Sequence, residues 1–331
     1  MQSNQLHTSR QSGGPLVSFV IPCWNLPIPL LGKCIDSIMA LDMTAAEREI
    51  IVVDDGSDVS PINALMHYGD DIVYVRQKNG GLSSARNKGI EIATGVFIQF
   101  VDGDDTLIKA AYDACLRELR NHTDTDMLMF DFANTPTEVQ PAPVFHTYSG
   151  TDYMRHHNLR GTACGYLLRK ATLGELRFTQ GIYHEDEEFT PQLLIRCERL
   201  MVTDARAYCY QRRTGSITTQ SDKAQVSKRL DDCHDVIVRL REKADRLPQY
   251  DRLALSRRVA QLTMDYLYKV MTQTRSKQEL EKRVEQLRQE GLFPLPDRDY
   301  TTKYQWFRRL SGTALGRTLL LKSLPLMKKE R

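Results

Sequence analysis

Short apolar runs alternate with amphipathic segments over the first third of the chain. Four runs rich in valine, isoleucine and phenylalanine have the length of single buried strands, at residues 16–21, 49–53, 72–75 and 96–101. The segments between them carry apolar residues at helical spacing, at 30–41, 61–68 and 83–93. Strands that alternate with helices indicate βαβ units and a parallel sheet covered on both faces. The pattern therefore predicts an α/β fold.

Polar clusters follow the ends of all four predicted strands, at residues 22–25, 54–57, 79–84 and 102–105. In parallel α/β sheets, ligands bind beyond the carboxyl ends of the strands. We therefore expect the four clusters to meet at one edge of the sheet and to form a binding site there.

The pattern changes to charged, leucine-containing segments of helical period after residue 222, with no strand-like runs at 224–246, 253–274 and 276–289. The last segment, 303–331, carries eight basic residues and one acidic residue. The sequence therefore predicts three parts. They are a flexible N-terminal tail at 1–15, a catalytic domain at 16–222, and a helical C-terminal region at 223–331 with a basic amphipathic tail.

Composition excludes several classes of protein. The 331 residues are 41% hydrophobic and 26% charged, which is ordinary globular usage, and a net charge of +3 is too small to imply nucleic-acid binding by itself. Seven dispersed cysteines contain no Cys-x-x-Cys pair, which favours a reducing compartment over a disulfide framework or structural zinc. Four prolines interrupt the longest uncharged stretch, at 11–32, so we expect no signal peptide, no membrane span and a cytoplasmic location.

Two acidic clusters carry the strongest chemical signal. Asp102-Gly103-Asp104-Asp105 ends a predicted strand, where clustered carboxylates repel one another unless water or a cation compensates them. Mg²⁺ or Mn²⁺ takes one or two such carboxylates and shares its other positions with phosphate oxygens. The alternative for this cluster is an aspartate-rich turn that caps the next helix.

Four consecutive carboxylates follow His184, at 185–188. Like charges raise one another's pKa, so one of these groups could act as a general base near a cleft. The alternative is an exposed acidic helix start that the helix dipole stabilises.

Three further segments suit a nucleotide or its phosphates. An aspartate in 54–57 could accept from an N–H group of a bound ring, or could form a turn with a helix cap. The glycine-rich turn at 79–87 allows close backbone approach, and Arg86 suits a phosphate, although no dinucleotide, P-loop or nucleophile-elbow pattern is present. A short strand and basic loop at 208–218 could clamp phosphates, or could be a hairpin with solvated arginines.

Taken in order, these segments resemble the family 2 inverting glycosyltransferases of the GT-A fold, and the pattern looks closest to bacterial enzymes that build surface polysaccharides. The resemblance covers roughly residues 16–219 and rests on six motifs, at 17–25, 52–57, 79–89, 100–105, 178–189 and 210–218. It implies a Rossmann-like, mostly parallel sheet sandwiched by helices, with a C-terminal helical appendage.

The resemblance also implies a nucleotide-sugar donor across the strand ends, with a UDP-sugar favoured. Trp24, where the family usually has tyrosine, keeps a face for stacking on the base. Gln211 stands where the last motif often has its first arginine, and Arg212 follows it. The donor-binding residues implied are Pro22, Trp24, Asp55, Asn79, Arg86, Asp102 and Arg213.

The catalytic groups follow from the same resemblance. Asp104, with Asp102 and Asp105, would hold Mn²⁺ or Mg²⁺ on the diphosphate, and Asp186 of the Glu185–Asp186 pair would be the general base. One base and one metal suffice for attack by an acceptor hydroxyl with inversion and no covalent intermediate. Two alternatives stay open: a nucleotidyltransferase, and a degenerate transferase fold that serves as a scaffold or binding subunit.

The sequence leaves the acceptor open as a saccharide or a lipid-linked saccharide, chosen by loops such as 132–153. The basic tail at 303–331 has two interpretations. It could lie on an anionic membrane as a peripheral helix on the inner face of the cytoplasmic membrane, or it could pack on the catalytic domain with solvated lysines.

Overall fold

The computed structural model describes residues 14–135, 141–211 and 222–327. Three predicted features lie wholly or partly outside that part of the chain. They are the N-terminal tail, of which only residues 14 and 15 are described, the phosphate clamp with Arg212 and Arg213, and the last four residues of the basic tail.

Nine strands are described, and they form one sheet. Their bounds are β1 (Val17–Cys23), β2 (Arg48–Asp54), β3 (Ile72–Arg76), β4 (Phe97–Phe100), β5 (Thr106–Leu107), β6 (Met127–Ala133), β7 (Phe145–Tyr148), β8 (Tyr166–Arg169) and β9 (Leu200–Cys209).

Helices cover the sheet and build the C-terminal region. Their bounds are α1 (Ile28–Met39), α2 (Ile62–Leu65), α3 (Leu82–Ile92), α4 (Lys109–Asn121), α5 (Gly150–His156), α6 (Lys170–Leu173), α7 (Glu185–Leu194), α8 (Lys223–Asp245), α9 (Gln249–Thr274), α10 (Lys277–Gln289), α11 (Thr302–Ser311) and α12 (Ala314–Met327). A 3₁₀ helix at Met66–Asp71 follows α2.

The sheet is parallel on one side and mixed on the other. The strand order is β3-β2-β1-β4-β8-β6-β9-β5, with β7 paired to β9. The four predicted strands, β1 to β4, pair in parallel, and helices cross over between them. Beyond β4 the sheet is mixed, because β8 runs antiparallel to both β4 and β6, while β6 and β9 are parallel. The predicted α/β class is confirmed, and the mostly parallel pairing holds for the first four strands.

Close packing between α3 and β1 brings the glycine-rich segment to the strand ends. Every residue of β1 is buried, as expected for a strand covered on both faces. A Cβ atom added at Gly89 would lie 2.1 Å from Cγ1 of Val20, so only glycine lets α3 approach β1 this closely. This approach places the N-terminal half of α3, with Arg86, beside the polar clusters.

The C-terminal helices have a hydrophobic core of their own, built from residues of α8 to α12 between Leu230 and Leu320. The region also packs on the sheet domain, because α9 contacts α5 and α8 contacts α7, and Ala254 of α9 belongs to the core around the sheet. Among the described residues, no helix is both long enough and apolar enough to cross a membrane.

Candidate active site

Trp24 directly follows β1 and is 55% exposed. The next residue, Asn25, has φ of 47°, and its backbone N–H donates to Ser57 Oγ at 2.9 Å. Its side-chain amide donates to Asp58 at 2.9 Å and accepts from the Asp58 N–H at 2.8 Å. A turn fixed to the residues after β2 therefore presents the Trp24 ring at the sheet edge, while Pro22 is buried within β1.

The buried carboxylate of Asp55 holds the glycine-rich turn. It accepts hydrogen bonds from Gln77 Nε2 at 2.7 Å and from the backbone N–H groups of Gly80 and Gly81 at 3.0 and 2.7 Å. Asn79 is exposed in this turn. The structure therefore shows Asp55 supporting the turn, and its contact with a bound ring stays a prediction.

Arg86 joins the two acidic clusters. Its buried guanidinium donates from Nη2 to Asp102 Oδ1 at 3.0 Å and from Nη1 to Glu185 Oε1 at 2.8 Å. Burial acts to lower the pKa of Arg86, but the surrounding anions, Asp102 foremost, outweigh it and raise that pKa. We call these two ion pairs the Arg86 bridge. The structure thus gives Arg86, which the sequence placed in the nucleotide pocket, two carboxylate partners within the protein.

Asp105 faces inward from the turn after β4. Its carboxylate, 1% exposed, accepts from Tyr208 Oη at 2.8 Å and from the Gln211 backbone N–H at 2.7 Å. Burial, with the charges of Asp102 and Asp104, raises the pKa of Asp105 to about 7 despite these hydrogen bonds. The Tyr208 hydroxyl also accepts from the Asp102 backbone N–H at 3.1 Å. Tyr208 and Asp105 therefore fix the shape of the turn that carries Asp102 and Asp104.

Asp102 and Asp104 fit a cation better than Asp105 does. Asp104 is partly exposed, and the side chain of Asp102 is 36% exposed, whereas both oxygens of Asp105 accept internal hydrogen bonds. Across the described chain, no three histidine, cysteine or acidic side chains are grouped to enclose a metal by themselves. Mg²⁺ commonly takes only one or two protein carboxylates and completes its shell with water and phosphate. The carboxylates present therefore suit a metal shared with a bound diphosphate.

The four carboxylates at 185–188 form the first turn of α7, which we call the acidic turn. His184 precedes it with φ of 66°, and burial lowers the pKa of His184 to about 4. Three arginines from three different helices neutralise three of the four groups. The pairs are Glu185 with Arg86 of α3 (2.8 Å), Glu187 with Arg258 of α9, and Glu188 with Arg239 of α8 (2.7 Å).

Asp186 is the member of the acidic turn without an arginine or lysine partner among the described residues. Its Oδ1 accepts from the Glu187 backbone N–H at 2.8 Å. Burial, together with the charges of Glu185 and Glu187, raises the pKa of Asp186 to about 7, although Arg86 acts in the opposite direction. A general base is most effective when its pKa lies near the working pH. The geometry thus singles out Asp186 as the carboxylate suited to accept a proton.

Sequence reasoning assigned no role to four residues that shape the site. Tyr208 was part of a quoted segment but had no assigned role. Arg239 and Arg258 belong to helices whose charges the sequence did not distinguish from solvated ones. A signal was present for Phe178, which opens a quoted motif; its ring stacks on another buried aromatic ring at 3.8 Å and lies 5.4 Å from the Arg86 guanidinium.

A parallel half-sheet with carboxylates beyond its strand ends, extended by mixed strands, defines a GT-A-type α/β fold. S. aureus TarS 1–349, solved in complex with UDP-GlcNAc, has the same fold, with a TM-score of 0.62 and 16% identity over 95% of this chain and 91% of that one. Residues 18–173 match the family described as "Glycosyl transferase family 2". Over these residues the chain matches glycosyltransferase family 2, in agreement with the family that the sequence motifs predicted.

Two curated relatives are bacterial. The "Uncharacterized glycosyltransferase EpsJ" of Bacillus subtilis (strain 168) is 31% identical over 221 residues, which are 62% of this chain and 63% of that protein. The "Minor teichoic acid biosynthesis protein GgaB" of the same organism is 27% identical over 62% of this chain. The chain spans 63% of the length of EpsJ and 24% of the length of GgaB.

Proposed function

We propose that the protein transfers a sugar from a nucleotide-sugar, with a UDP-sugar favoured, to an acceptor hydroxyl with inversion at the sugar carbon. The observation that carries the proposal is the Arg86 bridge, which ties Asp102 on the donor side to Glu185 beside the candidate base. One guanidinium thereby holds the two halves of the reaction in a fixed relation. The binding of UDP-GlcNAc by TarS supports a uridine donor, and the role of GgaB in teichoic acid synthesis supports polysaccharide or glycolipid assembly.

On the acceptor side, Asp186 removes the proton of the attacking hydroxyl. The hydroxyl oxygen forms a bond to the anomeric carbon as the bond from that carbon to the diphosphate breaks on the opposite face. The proton stays on Asp186 and then passes to water, and the nucleoside diphosphate leaves with the bonding electrons. Because attack and departure occur on opposite faces, the product has inverted stereochemistry and no covalent intermediate forms.

On the donor side, the exposed ring of Trp24 offers a stacking face for the base, and the turn held by Asp55 lies beside it. Asp104 and Asp102 would hold Mn²⁺ or Mg²⁺, which supplies positive charge to the developing diphosphate. Arg213 is proposed to steady the same diphosphate. In this proposal residues 16–222 bind the donor and contain the base, and residues 223–331 contribute two of the three arginines that pair with the acidic turn.

The test is a donor screen on the purified full-length protein. Each nucleotide-sugar is offered with Mn²⁺ or Mg²⁺, binding is read as a thermal shift, and nucleoside diphosphate release is assayed with and without chelator. We expect one donor to give metal-dependent release, and Asp186→Asn to bind that donor but to lose at least about a hundredfold in turnover. Near-full transfer by Asp186→Asn would refute the base assignment.

Two other outcomes of the screen decide between the alternatives. Release of pyrophosphate from a nucleoside triphosphate would identify a nucleotidyltransferase. Folded protein that neither binds nor turns over any nucleotide-sugar would favour a scaffold or binding subunit.

We further propose that α11 and α12 contact an anionic membrane surface near a lipid-linked acceptor. Tyr304 and Phe307 are buried against the other C-terminal helices, so one side of α11 packs on the protein. Trp306, Leu315 and Leu319 are 60%, 83% and 57% exposed on these two helices. Exposed aromatic and leucine side chains beside basic residues are typical of helices that lie in a membrane interface. The basic residues exposed on α11 and α12 are Lys303, Arg309 and Lys322.

Co-sedimentation with liposomes tests this surface. We expect the full-length protein to bind vesicles that contain phosphatidylglycerol, and the double variant Leu315→Ser/Leu319→Ser to bind them several-fold less. Equal binding by both proteins would remove the membrane role of these side chains, and equal binding to neutral vesicles would contradict the preference for an anionic surface.

A further inference from the structure

Arg160 is an exposed cation that no carboxylate compensates within the described ranges. Its guanidinium carbon lies 4.2 Å from the ring centroid of Phe132, at the end of β6. A guanidinium that stacks on an aromatic face keeps its in-plane N–H donors available. Arg160 therefore presents a positioned donor group to the solvent rather than closing an ion pair.

The position of this stack relates it to both acidic clusters. The Phe132 ring contacts the Tyr208 ring at 5.3 Å between centroids, and the Tyr208 hydroxyl donates to Asp105. On the other side, a Cβ atom added at Gly161 would lie 1.9 Å from Oε2 of Glu187, so the residue after Arg160 touches the acidic turn. Arg160 thus lies between the turn that carries Asp102 and Asp104 and the turn that carries Asp186.

Helix α9 fixes the backbone that carries Arg160. Arg258 Nη1 donates to the Leu159 carbonyl oxygen at 2.7 Å, and Gln261 Nε2 donates to Asn158 Oδ1 at 2.6 Å. The same α9 arginine pairs with Glu187, so the loop and the acidic turn share one support. A backbone segment held in this way has little conformational entropy left to lose when a ligand binds to its side chains.

We propose that Arg160, supported by Phe132, is an acceptor subsite that binds an anionic group, a phosphate or a carboxylate, on the acceptor. This inference rests on the proposed glycosyl transfer. An acceptor that carries a negative charge must approach Asp186, the one carboxylate of the acidic turn without an arginine or lysine partner among the described residues, which repels it when ionised. Arg160 supplies the compensating charge and the paired donors that phosphate and carboxylate oxygens accept. The subsite would therefore position the acceptor hydroxyl relative to Asp186.

A labelling experiment tests the subsite without any turnover. The full-length protein is modified with phenylglyoxal, and the extent of modification at each arginine is read by peptide mass spectrometry. The probes are glycerol 3-phosphate and glucuronic acid, with glycerol and glucose as their neutral counterparts. We expect at least one anionic probe to protect Arg160 and neither neutral probe to do so.

Arg155 gives a control in the same map, because its guanidinium also stacks on an aromatic ring, Tyr250, at 4.1 Å, but pairs with Asp152 at 3.9 Å. Protection by the phosphate probe alone, or by the carboxylate probe alone, supports the subsite and identifies its ligand class. The proposal is overturned if Arg160 is modified to the same extent without a probe and with each of the four probes. It is also overturned if Arg155 is protected as strongly as Arg160.

Kinetics provide a second, independent measurement. With a donor that the wild-type protein uses, Arg160→Gln should raise the KM of an anionic acceptor about tenfold, the effect of one charge-assisted hydrogen bond, and change kcat little. Arg155→Gln should change neither constant. If Arg160→Gln transfers sugar with an unchanged KM, the subsite alone is overturned. If the wild-type protein is inactive with every donor, the proposed function is overturned, and the labelling result then decides on the subsite by itself.

Discussion

Glu187 and Arg258 are expected to shift the pH dependence of sugar transfer in opposite directions when each is replaced by glutamine. The two side chains form an ion pair beside Asp186, whose pKa is raised to about 7 by burial and by the charges of Glu185 and Glu187. Glu187→Gln removes a neighbouring negative charge and lowers the pKa of Asp186. Arg258→Gln leaves the Glu187 charge uncompensated and therefore raises the pKa of Asp186.

Coulomb's law gives the size of these shifts. For unit charges about 7 Å apart, an effective dielectric constant of about 20 gives about 2.4 kcal/mol, or about 1.7 pKa units. For Arg258, taken as about 10 Å from Asp186, the same calculation gives about 1.2 units. At physiological ionic strength the Debye length is about 8 Å, and this screening reduces both pKa shifts. We therefore expect observed shifts of about 0.5–1 unit.

The assay is the pH profile of kcat/KM between pH 5 and pH 9. The proposed base, Asp186, must be ionised to act, so activity falls tenfold per pH unit below its pKa, and the wild-type acid limb should lie near pH 7. The acid limb should move to lower pH for Glu187→Gln and to higher pH for Arg258→Gln. In the double variant it should return close to its wild-type pH.

The matched control is Arg283→Gln, which removes another buried arginine of the C-terminal region, one whose partners are Glu279 and Asp231 rather than the acidic turn. We expect this variant to lose stability but to keep the wild-type pH profile. Acid limbs that coincide in both test variants, or that move in the same direction, would show that the charges around Asp186 do not control its protonation.

Three further outcomes follow from the site. Asp186→Asn should raise Tm by about 2–5 °C at pH 8 in calorimetry. The pKa of Asp186 is about 7 in the folded protein and 3.8 for an ordinary aspartate, so the wild-type protein loses stability as the pH rises between these values. The difference in Tm should vanish near pH 4. Trp24→Leu should weaken nucleotide binding about tenfold in titration calorimetry and leave Tm nearly unchanged, since the ring is 55% exposed. Tyr208→Phe should cost about 1–2 kcal/mol in urea unfolding, because buried Asp105 loses a hydrogen bond.

The parallel half of the sheet could be predicted from the sequence because its strands are buried on both faces. Such strands are short runs of valine, isoleucine and phenylalanine, a signal that is local and strong. The mixed half gave no comparable signal. β5, β7 and β8 have only two to four residues each, and none of the strands β5 to β8 was predicted, nor was the part of β9 from 200 to 207. Their pairing depends on long-range contacts that no local pattern encodes.

The same distinction applies to the candidate site. The sequence identified the turns that carry Asp55 and Asp102 because polar residues after buried strands are a local feature. It could not assign their partners. Arg86 pairs with Glu185, 99 positions further along the chain, and Gln211 donates to Asp105 across 106 positions. The fold, and not the motif, decides which carboxylate is open to a cation and which one accepts internal hydrogen bonds.

The charge pattern of the acidic turn indicates why the C-terminal helices matter for the chemistry. Four adjacent carboxylates on one helical turn repel one another, and an isolated turn of this kind would share its protons among all four groups. Arg239 and Arg258 come from α8 and α9, and together with Arg86 they hold three of the groups as ion pairs. The remaining group, Asp186, is then the one left to titrate near neutral pH. A substitution in the C-terminal helices is therefore expected to change the pH at which the proposed sugar transfer is fastest without altering any residue of the proposed donor site.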